Sequence, residues 1–106
     1  MGMDLHGKGG YFRLNCWAWE NVLKWATSSG WKPLGTSKPK LWSDGGDGIW
    51  KGGYDTNDGQ RVLAKDARAL ADALERALPG VEARDDYKAY LAEFVAYCRK
   101  GSFIIK

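Results

Sequence analysis

With 106 residues, 44% of them hydrophobic and 27% charged, the chain is long enough for one domain with a real core and too apolar for disorder. Its net charge of +3 is too small for a dedicated duplex-DNA binder. No apolar run approaches the roughly 18 residues of a membrane span, and no signal peptide is visible, so a cytoplasmic protein is expected. The two cysteines, Cys16 and Cys98, lie in no CxxC and have no histidine at ligand spacing; they read as reduced, buried thiols.

The charge is unevenly placed. Residues 1–53 carry seven Lys/Arg against four acids, whereas residues 54–106 carry nine of each. All six tryptophans lie between Trp17 and Trp50, so the basic excess travels with the indoles. That combination suits an anionic partner with flat rings.

In chain order, Met3 and Leu5 share one face of a short strand, with Asp4 and His6 on the other. Gly7 to Gly10 reads as a turn, and Tyr11 to Leu14 as a second strand or a lead-in. Asn15 is a candidate N-cap for a helix from Cys16 to about Ser29, closed by Gly30. Cys16, Trp19, Val22, Leu23 and Ala26 form the core stripe of that helix. Trp17 and Trp25 fall outside it, either covered by loops or lining a surface site. Residues 31–41, with two prolines and three lysines, form a loop or edge segment.

Trp42 to Gly59 follows, with six glycines and four aspartates in eighteen residues. Ile49 to Lys51 could be a brief strand, and Gln60 to Val62 the returning arm of a hairpin after Asn57-Asp58-Gly59. A helix from Ala64 to Leu78 has a stripe of Leu63, Ala67, Leu70, Ala71, Leu74 and Leu78, with Asp72 and Arg76 spaced as an exposed pair. A third helix runs from Asp86 to Lys100 with Asp85 as its cap, and its stripe is Tyr87, Tyr90, Leu91, Phe94 and Cys98. Phe103 to Ile105 is apolar enough to add a strand. The expected architecture is a single α+β domain over residues 1–106: a small mixed or antiparallel sheet with three helices packed on it.

Several chemistries can be weighed on spacing. Asp44, Asp47, Asp55, Asn57 and Asp58 offer oxygens as calcium loops do. Gly59 nevertheless comes too early after Asp55 for an EF-hand, and the acid that should close the loop is missing. Turn formation explains them better, and neither a metal nor a cofactor is expected. His6, the one histidine, lies two residues from Asp4 without a visible catalytic partner, and no G-x-S-x-G marks a nucleophile. Gly7-Lys8-Gly9-Gly10 matches no phosphate-loop pattern. Arg13 and Asn15 stand at a helix N-terminus, whose free amides favour anions, with Trp17 or Trp50 as a stacking ring. In the bland alternative, Arg13 pairs with a loop aspartate. The Trp/Lys interleaving at 31–32, 38–42 and 50–51 has the chemistry of single-strand stacking surfaces, or else is a loop with core indoles and solvated lysines.

Met1-Gly2-Met3-Asp4, Tyr11-Phe12-Arg13-Leu14-Asn15-Cys16-Trp17-Ala18-Trp19, Asn57-Asp58-Gly59 and Gly101-Ser102-Phe103-Ile104-Ile105 together resemble a family of small uncharacterised proteins of tailed phages and prophages. The family has no assigned activity, so the resemblance implies a phage or prophage setting inside a bacterial host cell. In that setting the expected function is a binding protein, not an enzyme, that sequesters a small anionic nucleotide-like ligand and blunts host defence. Its expected contacts are Arg13, Asn15 and Trp17 from the helix start and Trp50, Lys51, Tyr54, Asn57 and Asp58 from the glycine loop. One alternative is an inhibitor of a host defence or nuclease complex anchored by Trp25, Trp31 and Trp42. The other is a small nucleotide hydrolase built on His6, Asp4 and an aspartate-held cation. Homo-oligomerisation stays open.

Overall fold

The computed structural model describes residues 2–39 and 52–106. The expected strand at 49–51, with Trp50 and Lys51 of the expected site, and Trp42 lie outside the described residues. The chain folds as an α+β structure: strands β1 (Gly2–Gly7), β2 (Gly10–Asn15), β3 (Gln60–Val62) and β4 (Phe103–Ile105), and helices α1 (Cys16–Ser28), α2 (Ala64–Ala77) and α3 (Asp85–Arg99). The sheet is antiparallel with strand order β2-β1-β4-β3.

Period-two patterning sets the sheet's two faces. Met3 pairs with Leu14, Leu5 with both Phe12 and Ile105, and Val62 with Phe103. Burying these apolar side chains leaves the alternate positions facing outward, because successive side chains on a strand point to opposite sides. Gly7 is needed where β1 meets β4: a Cβ there would sit 2.2 Å from the Ser102 carbonyl oxygen and 2.5 Å from the Phe103 Cα.

Asn15 does cap α1, its side chain accepting from the Ala18 amide at 2.7 Å. Gly30, at φ +97°, turns the chain after that helix. Trp19, Val22 and Ala26 of α1 are buried with Leu70, Ala71 and Leu74 of α2 and Leu91, Phe94 and Cys98 of α3. Phe12, Phe94, Tyr97 and Phe103 join sheet to α3, with ring centroids 5.5 Å apart for Phe12–Phe94, Phe12–Tyr97 and Tyr97–Phe103.

Three local expectations change in tertiary context. Leu78 leaves α2 for a 3-10 turn over Leu78–Gly80, because Pro79 cannot continue the helix. Asp85 opens α3 as its first residue instead of capping it; Asp85 and Asp86 put negative charge at the positive end of the helix dipole. Asp72 and Arg76 do not pair with each other. Asp72 and Glu75 bind Arg99 of α3 at 2.8 and 2.7 Å, and Arg76 donates to the Ser29 carbonyl at 2.9 Å.

The core should make the fold sensitive to alkali. Burial pushes the Cys98 thiol well above its ordinary 9.0, pushes Tyr97 up to about 12, and raises Tyr54 strongly, with help from a hydrogen bond to Asp66. Each group is held neutral in the fold and ionises first in the unfolded chain. Their contribution is therefore fully present below about pH 9 and lost progressively as the pH rises through and beyond about 10. The urea midpoint is expected to hold steady from about pH 7 to 8.5 and then to fall through about pH 11. A midpoint that stays level to that pH would contradict the burial of these groups.

Candidate functional site

Two loops, residues 29–39 and 52–59, are fastened to the helices by a few buried polar groups. Asp66, buried in the first turn of α2, accepts from the Leu34 amide at 2.9 Å, the Gly35 amide at 3.1 Å and the Tyr54 hydroxyl. Its backbone carbonyl accepts the Trp31 indole N–H at 3.1 Å. Trp19 donates to the Tyr54 carbonyl at 2.6 Å. Fully buried Gln60 donates to the Thr56 carbonyl at 2.6 Å and accepts from the Asp58 amide at 2.9 Å. The Thr36 hydroxyl ties the two loops together through the Gly53 carbonyl at 2.8 Å. Pattern reading passed over Gln60 and Asp66. The available signal was a polar residue at an inward strand position and an acid inside an otherwise clean helix start.

The described part of the glycine stretch does pack against α1. Between them lies a cleft of about 440 Å³, lined by Met3, Cys16, Trp19, Glu20 and Leu23 on one side and residues 55–58 on the other. Its charge is the reverse of what an anion needs. Glu20, Asp55 and Asp58 line it, and no Lys or Arg appears among its described lining. Among the described residues, no cluster of three His, Cys, Asp or Glu side chains is arranged to hold a metal ion.

The expected contact residues therefore separate. Tyr54 is buried, with its hydroxyl on Asp66 and its ring 5.0 Å from Trp31 in an edge contact, so it is part of the loop's anchorage. Asn15 uses its side-chain oxygen on the helix cap. Trp17, 64% exposed, lies beside Tyr87 of α3 at 6.0 Å and shares a shallow recess with Asn15, Asp86 and Tyr90. Trp25 is half-buried against Tyr87 at 6.4 Å. Trp31 is only 5% exposed, which removes it as a surface anchor. Asp58 lies on the acidic cleft. Asn57 also lines that cleft and donates to the Gly2 carbonyl at 3.5 Å, while the Arg13 guanidinium lies over Gly2.

Arg13 belongs to a different surface, the outer face of the sheet. Directly opposed residues share a face, so the pairing register reads out two rows. The first runs Tyr11, His6, Ile104, Arg61 across all four strands, with Ser37 bridged to Arg61 beyond the edge. The second runs Arg13, Asp4, Lys106, where Asp4 and Lys106 exchange backbone hydrogen bonds of 3.0 and 2.8 Å. Among the described residues of these two rows, three cationic side chains, Arg13, Arg61 and Lys106, face one carboxylate, that of Asp4. Arg13, Arg61, Lys106, His6 and Tyr11 are all exposed.

The aromatic end of this face is held in place. The Tyr11 ring lies 5.0 Å from His6, and its hydroxyl donates to the Asp4 carboxylate at 2.6 Å. That hydrogen bond, above all, raises the Tyr11 hydroxyl above its ordinary pKa. Arg13 stands 3.8 Å from the same carboxylate oxygen. So the bland reading of Arg13 holds in kind, but its partner is Asp4 across the strands and not a loop aspartate. Pattern reading had Asp4, His6, Tyr11 and Arg13 in view, but not their alignment with Arg61, which is 48 residues further along than Arg13.

No family model matches the chain, and no curated protein or solved structure matches it. Among the described residues, no helix is long and apolar enough to cross a membrane.

Proposed function

We propose that the protein binds an anionic, ring-bearing ligand of the nucleotide class on the outer face of its sheet. The observation that carries this reading is the outward-facing row Tyr11–His6–Ile104–Arg61, exposed except for half-buried Ile104, beside Arg13 and Lys106. A tyrosine ring held by Asp4 offers a base a stacking surface that is already ordered, which lowers the entropy lost on binding. Guanidinium groups match phosphate oxygens with two parallel hydrogen bonds. In the cytoplasm of a phage-infected or lysogenic cell, such capture would withhold a nucleotide signal from host defence.

Isothermal titration against cyclic nucleotides and ADP-ribose derivatives tests the reading. Binding is expected, and the double substitution Arg13→Glu, Arg61→Glu should weaken it at least about tenfold, roughly 1.4 kcal/mol. Both side chains are exposed, so the fold should persist, with a loss of about 1 kcal/mol from setting a second carboxylate opposite Asp4. No heat with any of these ligands or with a short oligonucleotide, or equal binding by the charge-reversed protein, would remove the reading.

A second reading, an inhibitor of a host defence or nuclease complex, is favoured by the α1–α3 surface. Trp17 stands out there beside Tyr87 and Tyr90, the residue type that anchors protein interfaces. A stoichiometric protein partner that is lost with Trp17→Ala and retained with Arg13→Glu would select it.

A further inference from the structure

We infer that the occupant of the outer sheet face is a single strand of nucleic acid, up to about four nucleotides long, laid across the β-strands from Tyr11 to Arg61. This rests on the nucleotide reading above and narrows it to a polymer. Neighbouring strands lie roughly 4.8 Å apart, so the three gaps between β2 and β3 place Tyr11 and Arg61 about 14 Å apart. At the roughly 3.4 Å rise of a fully base-stacked strand, the least extended case, this row spans at most about four nucleotide steps, and a strand splayed on the surface fills it with fewer.

The order of chemistries along the row fits a chain better than a compact ligand. Rings stand at one end, Ile104 in the middle and Arg61 at the far edge. A mononucleotide stacked on Tyr11 leaves Arg61 without a phosphate, whereas a strand presents one to it. Arg61 is also aimed: its Nη1 donates to the Ser102 hydroxyl at 3.3 Å, which holds the guanidinium over β4. The second row flanks the first with Arg13 at one side and Lys106 at the other. Asp4 lies between those two, so the phosphates are expected to pass at the Arg13 and Lys106 ends and not over the row's centre. The rows offer rings and cations, and their one carboxylate, Asp4, is already engaged by Tyr11 and Arg13. The binding is therefore sequence-tolerant, dominated by stacking and phosphate contacts.

Fluorescence anisotropy with labelled oligonucleotides of two, four and eight nucleotides tests this, with an equal-length duplex and free mononucleotides as competitors. Affinity should rise at least about tenfold from two to four nucleotides and little per site beyond that. With three cations engaged, log K against log salt should slope at about −2, and Arg61→Glu should flatten it by about one. Tyr11→Ala should weaken the four-nucleotide strand about tenfold, while Tyr11→Phe, which keeps the ring, should weaken it less. If mononucleotides bind as tightly as the oligonucleotides, the strand inference falls and the nucleotide reading stands. If neither binds, both fall. Oligonucleotide binding that is unchanged in Tyr11→Ala and Arg61→Glu, with thermal melts showing both variants folded, also overturns the inference.

Discussion

Asp66→Ala should be among the most damaging single substitutions in the protein, lowering stability by about 3–5 kcal/mol. The carboxylate is only 2% exposed and accepts from two loop amides and the Tyr54 hydroxyl. Removing it leaves the buried Tyr54 hydroxyl without its acceptor, at about 1–3 kcal/mol, and takes a charged acceptor from two part-buried amides, at about 1 kcal/mol each. Domains of this size have roughly 5–15 kcal/mol in total, so the variant would approach the edge of folding. Its melting temperature should fall by about 12 °C or more. Asp66→Asn keeps the volume but turns an N–H donor toward other donors, so it should rescue little. Asp72→Ala, which breaks an exposed pair with Arg99, is the contrast and should cost about 1 kcal/mol or less. Urea denaturation of the three variants checks the ranking. A loss of under about 1 kcal/mol in Asp66→Ala would mean that the loops are not held this way.

Trp19→Ala should be comparably severe, at about 3–5 kcal/mol. The indole is 1% exposed, meets Phe94 edge-on at 6.1 Å and donates to the Tyr54 carbonyl at 2.6 Å. Trp19→Phe separates the two contributions: most of the volume remains, but the donor is lost, and about 1–2 kcal/mol should go with it. Trp19 and Asp66 grip the same residue, one through its backbone and the other through its side chain. The Trp19→Phe, Asp66→Asn double variant should therefore lose less than the sum of the single losses, by about 0.5 kcal/mol or more. Strict additivity would show that Tyr54 does not transmit one anchorage to the other.

These anchors bear on function through position. They hold residues 52–59 against α1, which keeps Asn57 on the Gly2 carbonyl, next to the Arg13 guanidinium. Variants that loosen Tyr54 should weaken binding there indirectly, whereas Arg61→Glu should act on binding with little change in melting temperature.

Much of the fold is legible in the sequence, because local patterns and burial agree. The Met3/Leu5 alternation, the Asn15 cap with Gly30 beyond the helix, and the Leu/Ala stripe of α2 each encode an element whose apolar face must be covered. The candidate site is far less legible. Its place two residues before the Asn15 cap makes Arg13 look like part of a helix entrance, yet its guanidinium lies on the outer face of the sheet beside Asp4. The two residues start from one face of β2, but Asn15 turns its side chain back to cap α1, whereas Arg13 extends over β1 toward Asp4, and only the strand register shows that partner.

By itself, then, the sequence determines the three helices, the strand-forming segments and the α+β class, since each follows from the periodicity of side chains that must leave water. Tertiary structure alone decides which polar residues meet. It draws Asp72 and Glu75 to Arg99 instead of Arg76, and it buries Asp66 as the acceptor for two loops. It also aligns Tyr11 and His6 with Arg61, from segments separated by some 50 residues of chain. The physical reason is one of range. Hydrophobic periodicity is written within a few residues, whereas strand order and register are set by closing long loops around a shared core, and no local pattern records which partners that closure will bring together.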